Sequence, residues 1–265
     1  MNSHVLRPIF YLFFFLSLTV NGQEVTGVKS LSLGGISSTH GAAWNNNPAA
    51  LGGIERSIIS TYCSNSWFIP QLTGSALALT YKGKKASAGF FYHYTGFSVL
   101  RRQNAGLGLG RQFGEKLSLG MRFTYSSYAI TGYGSAHVIS AQAGLINRLS
   151  KALVLAVLVQ NIGSRKNILY EANPIRLRVG LRYDASPGLK LFAEADQQLS
   201  RPLNIRGALE YEGNKTLVLR GGFSTSPKSI AFGIGLRLRS LQLDMSSTYF
   251  QYLGFGPGIG LTYEL

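Results

Sequence analysis

The sequence predicts an all-β protein, a transmembrane antiparallel β-barrel of about 14 strands with a short N-terminal plug segment. Three observations predict it. Apolar and polar residues alternate with a period of two over most of the chain, tight turns alternate with longer connections, and the last residues, "GIGLTYEL", are still in strand phase. A period of two belongs to strands.

The elements follow in chain order. Met1 to Gly22 carry Arg7 in a short basic region and then the apolar run "IFYLFFFLSLTV", the pattern of a secretory signal peptide over residues 1–22. One cysteine, Cys63, excludes an intrachain disulfide, so stability rests on packing and hydrogen bonds. Residues 23–54 form the expected plug. In "WNNNPAALGG", Trp44 to Gly53, Pro48 lacks an N–H and the asparagines favour turns, so neither a strong helix nor a strand results. Such a segment has to pack inside something larger.

Residues 55–265 supply it. In "KLSLGMRFTY", Leu117, Leu119, Met121, Phe123 and Tyr125 oppose Ser118, Gly120, Arg122 and Thr124; "IRLRVGLRY" and "SIAFGIGLRLR" repeat the division. A soluble sandwich or lipocalin shows the same alternation with its apolar side inward. Strand length, tyrosines near strand ends (Tyr125, Tyr183, Tyr211, Tyr249, Tyr263) and the loop pattern favour apolar residues facing a bilayer. The turns "KGKK", "FGEK", "RLSK", "DASPG", "EGNK" and "RS" alternate with "CSNSWFIPQL", "TGFSVLRR", "SYAITGYGS", "GSRKNILYEANP" and "FQYLGFGP". Short periplasmic turns opposite longer outer loops indicate the bacterial outer membrane, with both termini in the periplasm. Folding the last hairpins sets Arg178 opposite Glu194, Arg176 opposite Asp196 and Arg237 opposite Asp244, pairs that brace a polar lumen. Balanced charge fits mutual satisfaction better than an ion-selective pore, which needs an excess of one sign.

"LGG" at Leu33 to Gly35, then "GAAWNNNPAAL" with Asn47, Pro48 and Ala49, ahead of such a barrel, resembles the FadL-type outer-membrane proteins and most closely the PorV/PorQ branch of Bacteroidetes. The resemblance implies a plugged barrel with the Asn-Pro-Ala turn against the wall, and a role in type IX protein secretion.

Catalytic chemistry is missing: no Gly-x-Ser-x-Gly elbow occurs, and His40, His93 and His137 are scattered, so neither an enzyme nor a cofactor or metal site is expected. The charge of +15 belongs to an exported chain, which points to lipid and lipopolysaccharide phosphates rather than nucleic acid. Trp67, Phe68 and Ile69, with Ile168, Leu169 and Tyr170, and Tyr252, Leu253 and Phe255, place apolar side chains at the outer rim, as a partner-binding surface or as loops folded over the barrel. Arg101, Arg102, Arg165 and Lys166 lie nearby; Lys82, Lys84, Lys85, Lys116, Lys151 and Lys215 gather at the other end, facing a periplasmic partner or phospholipid heads. The preferred function is a non-enzymatic binding or shuttle component holding secreted cargo or a secretion-system subunit. The alternative is FadL-like transport of small hydrophobic molecules. A bulged lumen strand beside Asn47 favours transport, and a sealed, charge-braced lumen with an apolar rim favours the binder.

Overall fold

The computed structural model describes residues 27–39, 46–164, 174–199 and 201–265. The expected signal peptide lies outside them, as do Trp44, Leu169 and Tyr170. The barrel begins with β1 (Ile58–Asn65), β2 (Thr73–Tyr81), β3 (Ser87–Gly96), β4 (Leu100–Phe113) and β5 (Leu117–Ile130). It continues with β6 (Gly134–Arg148), β7 (Leu153–Ile162), β8 (Arg176–Ser186), β9 (Leu189–Gln198) and β10 (Asn204–Glu212). The last strands are β11 (Leu217–Thr225), β12 (Lys228–Leu238), β13 (Leu241–Phe250) and β14 (Gly254–Glu264).

Each strand pairs antiparallel with the next, and β14 returns to β1 with Ile58 opposite Glu264, closing a barrel of fourteen strands. Closure leaves no open edge, the condition for sheet in hydrocarbon. The alternation sorts as the apolar-out reading requires. Met121, Phe123, Ile175, Phe232 and Ile234 stand exposed on the outside, while Arg178, Glu194, Glu210, Arg220 and Asp244 are buried within. No helix among the described residues is long and apolar enough to cross a membrane; the chain crosses with strands.

Loop lengths differ from the expectation. β4, β5 and β6 run for 14, 14 and 15 residues, beyond the 9 to 11 or so that a tilted strand needs to cross. Together with the end of β3 they absorb most of "TGFSVLRR" and "SYAITGYGS", leaving 97–99 and 131–133 as the connections. Phe255 likewise lies in β14, opposite Tyr249 with ring centroids 5.0 Å apart, and not in a loop.

Inside the cylinder lie a one-turn helix, α1 (Val28–Ser32), and a 3-10 helix, Pro48–Gly53. Asn47 is the N-cap of the latter, its Oδ1 accepting from the Ala49 N–H at 3.0 Å, and Pro48 sits at the first helical position, where no N–H is needed. Leu51 and Ile54 pack with Ala78 and Phe91 of the wall; Val28 packs with Tyr62 and Ala76.

Candidate functional site: the lumen and its inner segment

Lumen glycines make room for this inner segment. Gly110 of β4 pairs across to Gly120 of β5, and Gly120 to Gly144 of β6, so three glycines form one row across three strands. The 3-10 helix lies on that row. A Cβ on Gly120 would stand 2.2 Å from the Pro48 carbonyl oxygen, and one on Gly144 would stand 2.0 Å from Asn47 Oδ1. On the far wall, Gly222 of β11 gives the same close approach to Leu33, and Gly180 of β8 to Ser38.

The two sides of the lumen differ chemically. From β8 to β13 the wall is an ion-pair ladder. Arg176 reaches Asp196 at 3.3 Å, Arg178 reaches it at 3.4 Å, and Arg206 bridges Asp196 and Glu194 at 2.7 Å each. Arg220 bridges Glu210 and Asp244 at 2.7 Å each, and Arg237 reaches Glu212 at 3.1 Å. The ladder grips the inner segment at two points. Glu194 Oε2 accepts from the Ser37 N–H (3.0 Å), the Ser38 N–H (2.7 Å) and the Ser38 hydroxyl (2.6 Å), while Arg178 donates to the Ser37 hydroxyl. Lys29 of α1 donates to Gln242 at 3.1 Å, and Gln242 donates to Asp244 at 2.9 Å. Buried charge is tolerated only when each group is paired and hydrogen-bonded, and here they are linked in series.

Partners within the ladder differ from the expected ones. Arg178 stands opposite Asp196, Glu194 opposite Gly180, and Arg176 opposite Gln198, because the turn closes late, between Ser186 and Leu189, and the bulge between Asp184 and Ser186 takes back one residue and so restores the inward phase. The Arg176–Asp196 pair survives as a diagonal contact, and Glu194 takes Arg206 as its ion-pair partner. The two-residue turn Arg239–Ser240 pairs Leu238 with Leu241, which sets Arg237 against Gln242 and Asp244 against Gly235. Arg237 therefore pairs with Glu212, and Asp244 with Arg220.

The β1 to β6 wall carries no acidic residue within its strands. Tyr62, Ala76, Ala78, Phe91, His93, Ala136 and Val138 are buried there beside amides and hydroxyls. The Arg122 guanidinium lies 4.7 Å from the Phe91 ring centroid, and Tyr62 stacks on His93 at 6.4 Å. Among the described residues, no hydrogen bond joins 46–54 to this wall; packing on the glycine row holds it. At the edge of the row the ladder of β6 and β7 is irregular. Ala141 faces Ile162 and Ala143 faces Val159, so β7 has one extra residue, and Asn161 takes φ 63°. Gln142 and Gln160 are buried at the bulge, and their Oε1 atoms find no partner among the described residues.

At the outer rim, Trp67 folds back against Phe250 with centroids 6.1 Å apart, whereas Phe68, Ile69 and Tyr252 are exposed. Among the described residues, no group of His, Cys, Asp and Glu is arranged to hold a metal.

A closed barrel with an apolar exterior, a charged interior and an occupied lumen is an outer-membrane β-barrel. No family model and no curated protein matches the sequence. Among solved structures the chain is similar to the CymD monoaromatic hydrocarbon channel, with a TM-score of 0.74 at 12% identity over 91% of this chain and 97% of that one. It is similar to the Pseudomonas putida toluene transporter TodX (0.66, 14%, 89% and 96%) and to a Pseudomonas aeruginosa FadL homologue (0.60, 12%, 90% and 98%). The fold is that of these outer-membrane channels, and a closed barrel with an apolar exterior places this chain in the outer membrane. The similar structures are described as a channel and a transporter.

These likenesses correct the expected tie to the PorV/PorQ branch, and with it the role as a type IX secretion shuttle. The physical reason lies in the motif. Asn47 caps, Pro48 starts and Ala49 keeps small a turn that must fit over glycines. Asn-Pro-Ala thus reports how the inner segment is seated, not what the barrel works with.

Proposed function

We propose that the barrel carries small hydrophobic molecules across the outer membrane. The observation that supports this best is the β-bulge between β6 and β7, next to the seat of Asn47 on Gly144. A bulge disrupts pairing locally and recurs beside functional sites. Here it adjoins the flank where, among the described residues, 46–54 are packed on the wall without hydrogen bonds to it. The FadL-type fold supports the same reading, and the CymD and TodX descriptions suggest monoaromatic hydrocarbons as the class to try first.

In this reading residues 1–22 are the export leader and 23–54 the plug, with Asn47, Pro48 and Ala49 at its seat. The acid-free wall bearing Tyr62, Phe91 and Val138 is the side along which an apolar molecule passes, because it meets no carboxylate there. The ion-pair ladder is the stiff side.

Uptake of labelled toluene by proteoliposomes tests the reading. Entry faster than into protein-free vesicles, and slowed when Gln142→Trp fills the bulge, is the expected result. Equal entry with and without protein overturns it.

A further inference from the structure

The end of the barrel that carries the first residue of β1 and the last of β14 faces the periplasm, as in bacterial barrels of even strand number. Its charge is unevenly distributed. On the arc from β2 to β7, Lys82, Lys84, Lys85, Arg111, Lys116, Arg148 and Lys151 are all exposed, and Glu115 is the one carboxylate among them. Among the described residues none of the seven forms an ion pair with a carboxylate. The opposite arc is mixed in sign: Arg182 pairs with Asp184 at 3.1 Å, and Arg237 with Glu212.

Height in the membrane decides what meets these cations. Tyr81, Phe113 and Leu149 are exposed on the outer face and directly adjoin Lys82, Arg111 and Arg148 in chain or space; the Arg111 guanidinium lies 5.2 Å from the Phe113 ring centroid. Lys82 and the other lysines follow the last lipid-facing residues of their strands, and Arg111 and Arg148 stand within two residues of Phe113 and Leu149 at the edge of the apolar belt, so the cations gather at the level of the headgroup phosphates. The lysines lie in short turns, 82–86, 114–116 and 149–152, and the two arginines at strand ends, with no protruding surface for a soluble protein to grip.

We infer that the periplasmic rim of β2 to β7 is a binding surface for anionic phospholipid headgroups of the inner leaflet. Lysine and arginine reach phosphate from an apolar stem, and clustered cations at a membrane surface select anionic lipid. The surface concentrates much of the excess positive charge of the chain, and it acts independently of what the lumen transports.

The experiment is native mass spectrometry of the folded barrel released from vesicles of phosphatidylglycerol and phosphatidylethanolamine in equal amounts. Retained lipid is expected to be enriched in phosphatidylglycerol. Combining Lys82→Gln, Lys84→Gln and Lys85→Gln lowers that enrichment, by up to about fivefold for each charge removed. Arg201→Gln with Lys228→Gln, at the other rim, leaves it unchanged. Equal retention of both lipids by the unaltered protein overturns the inference, and so does an equal loss from the other-rim variant. A retained polypeptide, lost with the lysines while lipid retention stays even, overturns it in favour of a protein partner. Circular dichroism of each variant confirms that the barrel has formed before its lipids are compared.

Discussion

The carbonyl oxygen of Pro48 occupies the space that a side chain on Gly120 would fill, 2.2 Å from where its Cβ would stand. Neither residue can change size alone. Pro48 stays in place because Gly110 and Gly144 flank Gly120 at the same level.

Gly120→Val is therefore expected to lift residues 47–52 off the wall, with an overpacking cost of about 1 to 3 kcal/mol. Single-channel recording in planar bilayers should give larger or more frequent ion conductance than the unaltered barrel. Unchanged conductance would mean that the segment has room to spare there.

Glu194→Gln tests the opposite flank. The carboxylate receives Ser37, Ser38 and Arg206, and the amide leaves Arg206 and Arg178 facing reduced negative charge in a buried place. Breaking a buried ion pair by removing one partner costs about 3 to 5 kcal/mol. Urea unfolding in detergent should shift to lower denaturant, and hydrogen exchange at residues 36–39 should accelerate. A variant as stable as the parent contradicts the ladder.

Asn47→Ala removes both the cap on the Ala49 N–H and the bond of 2.8 Å to the Ser38 carbonyl, which joins the two inner pieces. The expected loss is about 1 to 2 kcal/mol, local to the inner segment. Hydrogen exchange over 46–54 should quicken while the strands keep their protection. A uniform change across the barrel would show that Asn47 supports the cylinder itself.

Much of this architecture was legible in the sequence because the strand period is two. The phase of Met121, Phe123 and Tyr125 against Arg122 and Thr124 fixed which side each faces, and a slip of one residue would have reversed every side chain. A slip of two reverses none. The pattern therefore puts Arg178, Glu194, Arg237 and Asp244 on the correct face but not beside the right opposite numbers, since the points at which the Ser186–Leu189 and Arg239–Ser240 turns close leave no mark on periodicity. The glycine row does carry a signal: Gly110, Gly120 and Gly144 fall in inward phase on successive strands, a few residues from their turns. Arg220 as a double bridge joins Glu210 of β10 to Asp244 of β13, beyond any two-strand reading.

Among the described residues the inner segment is hydrogen-bonded to β8, β9 and β13 and only packed on β4, β5 and β6. On the proposed transport reading, an outward swing would pivot about Glu194 and Gln242, and its packed margin would part first from β4, β5 and β6. The doorway so formed would have its jamb at the bulge of β7, its width set by the angle of the swing rather than by the bore of the barrel.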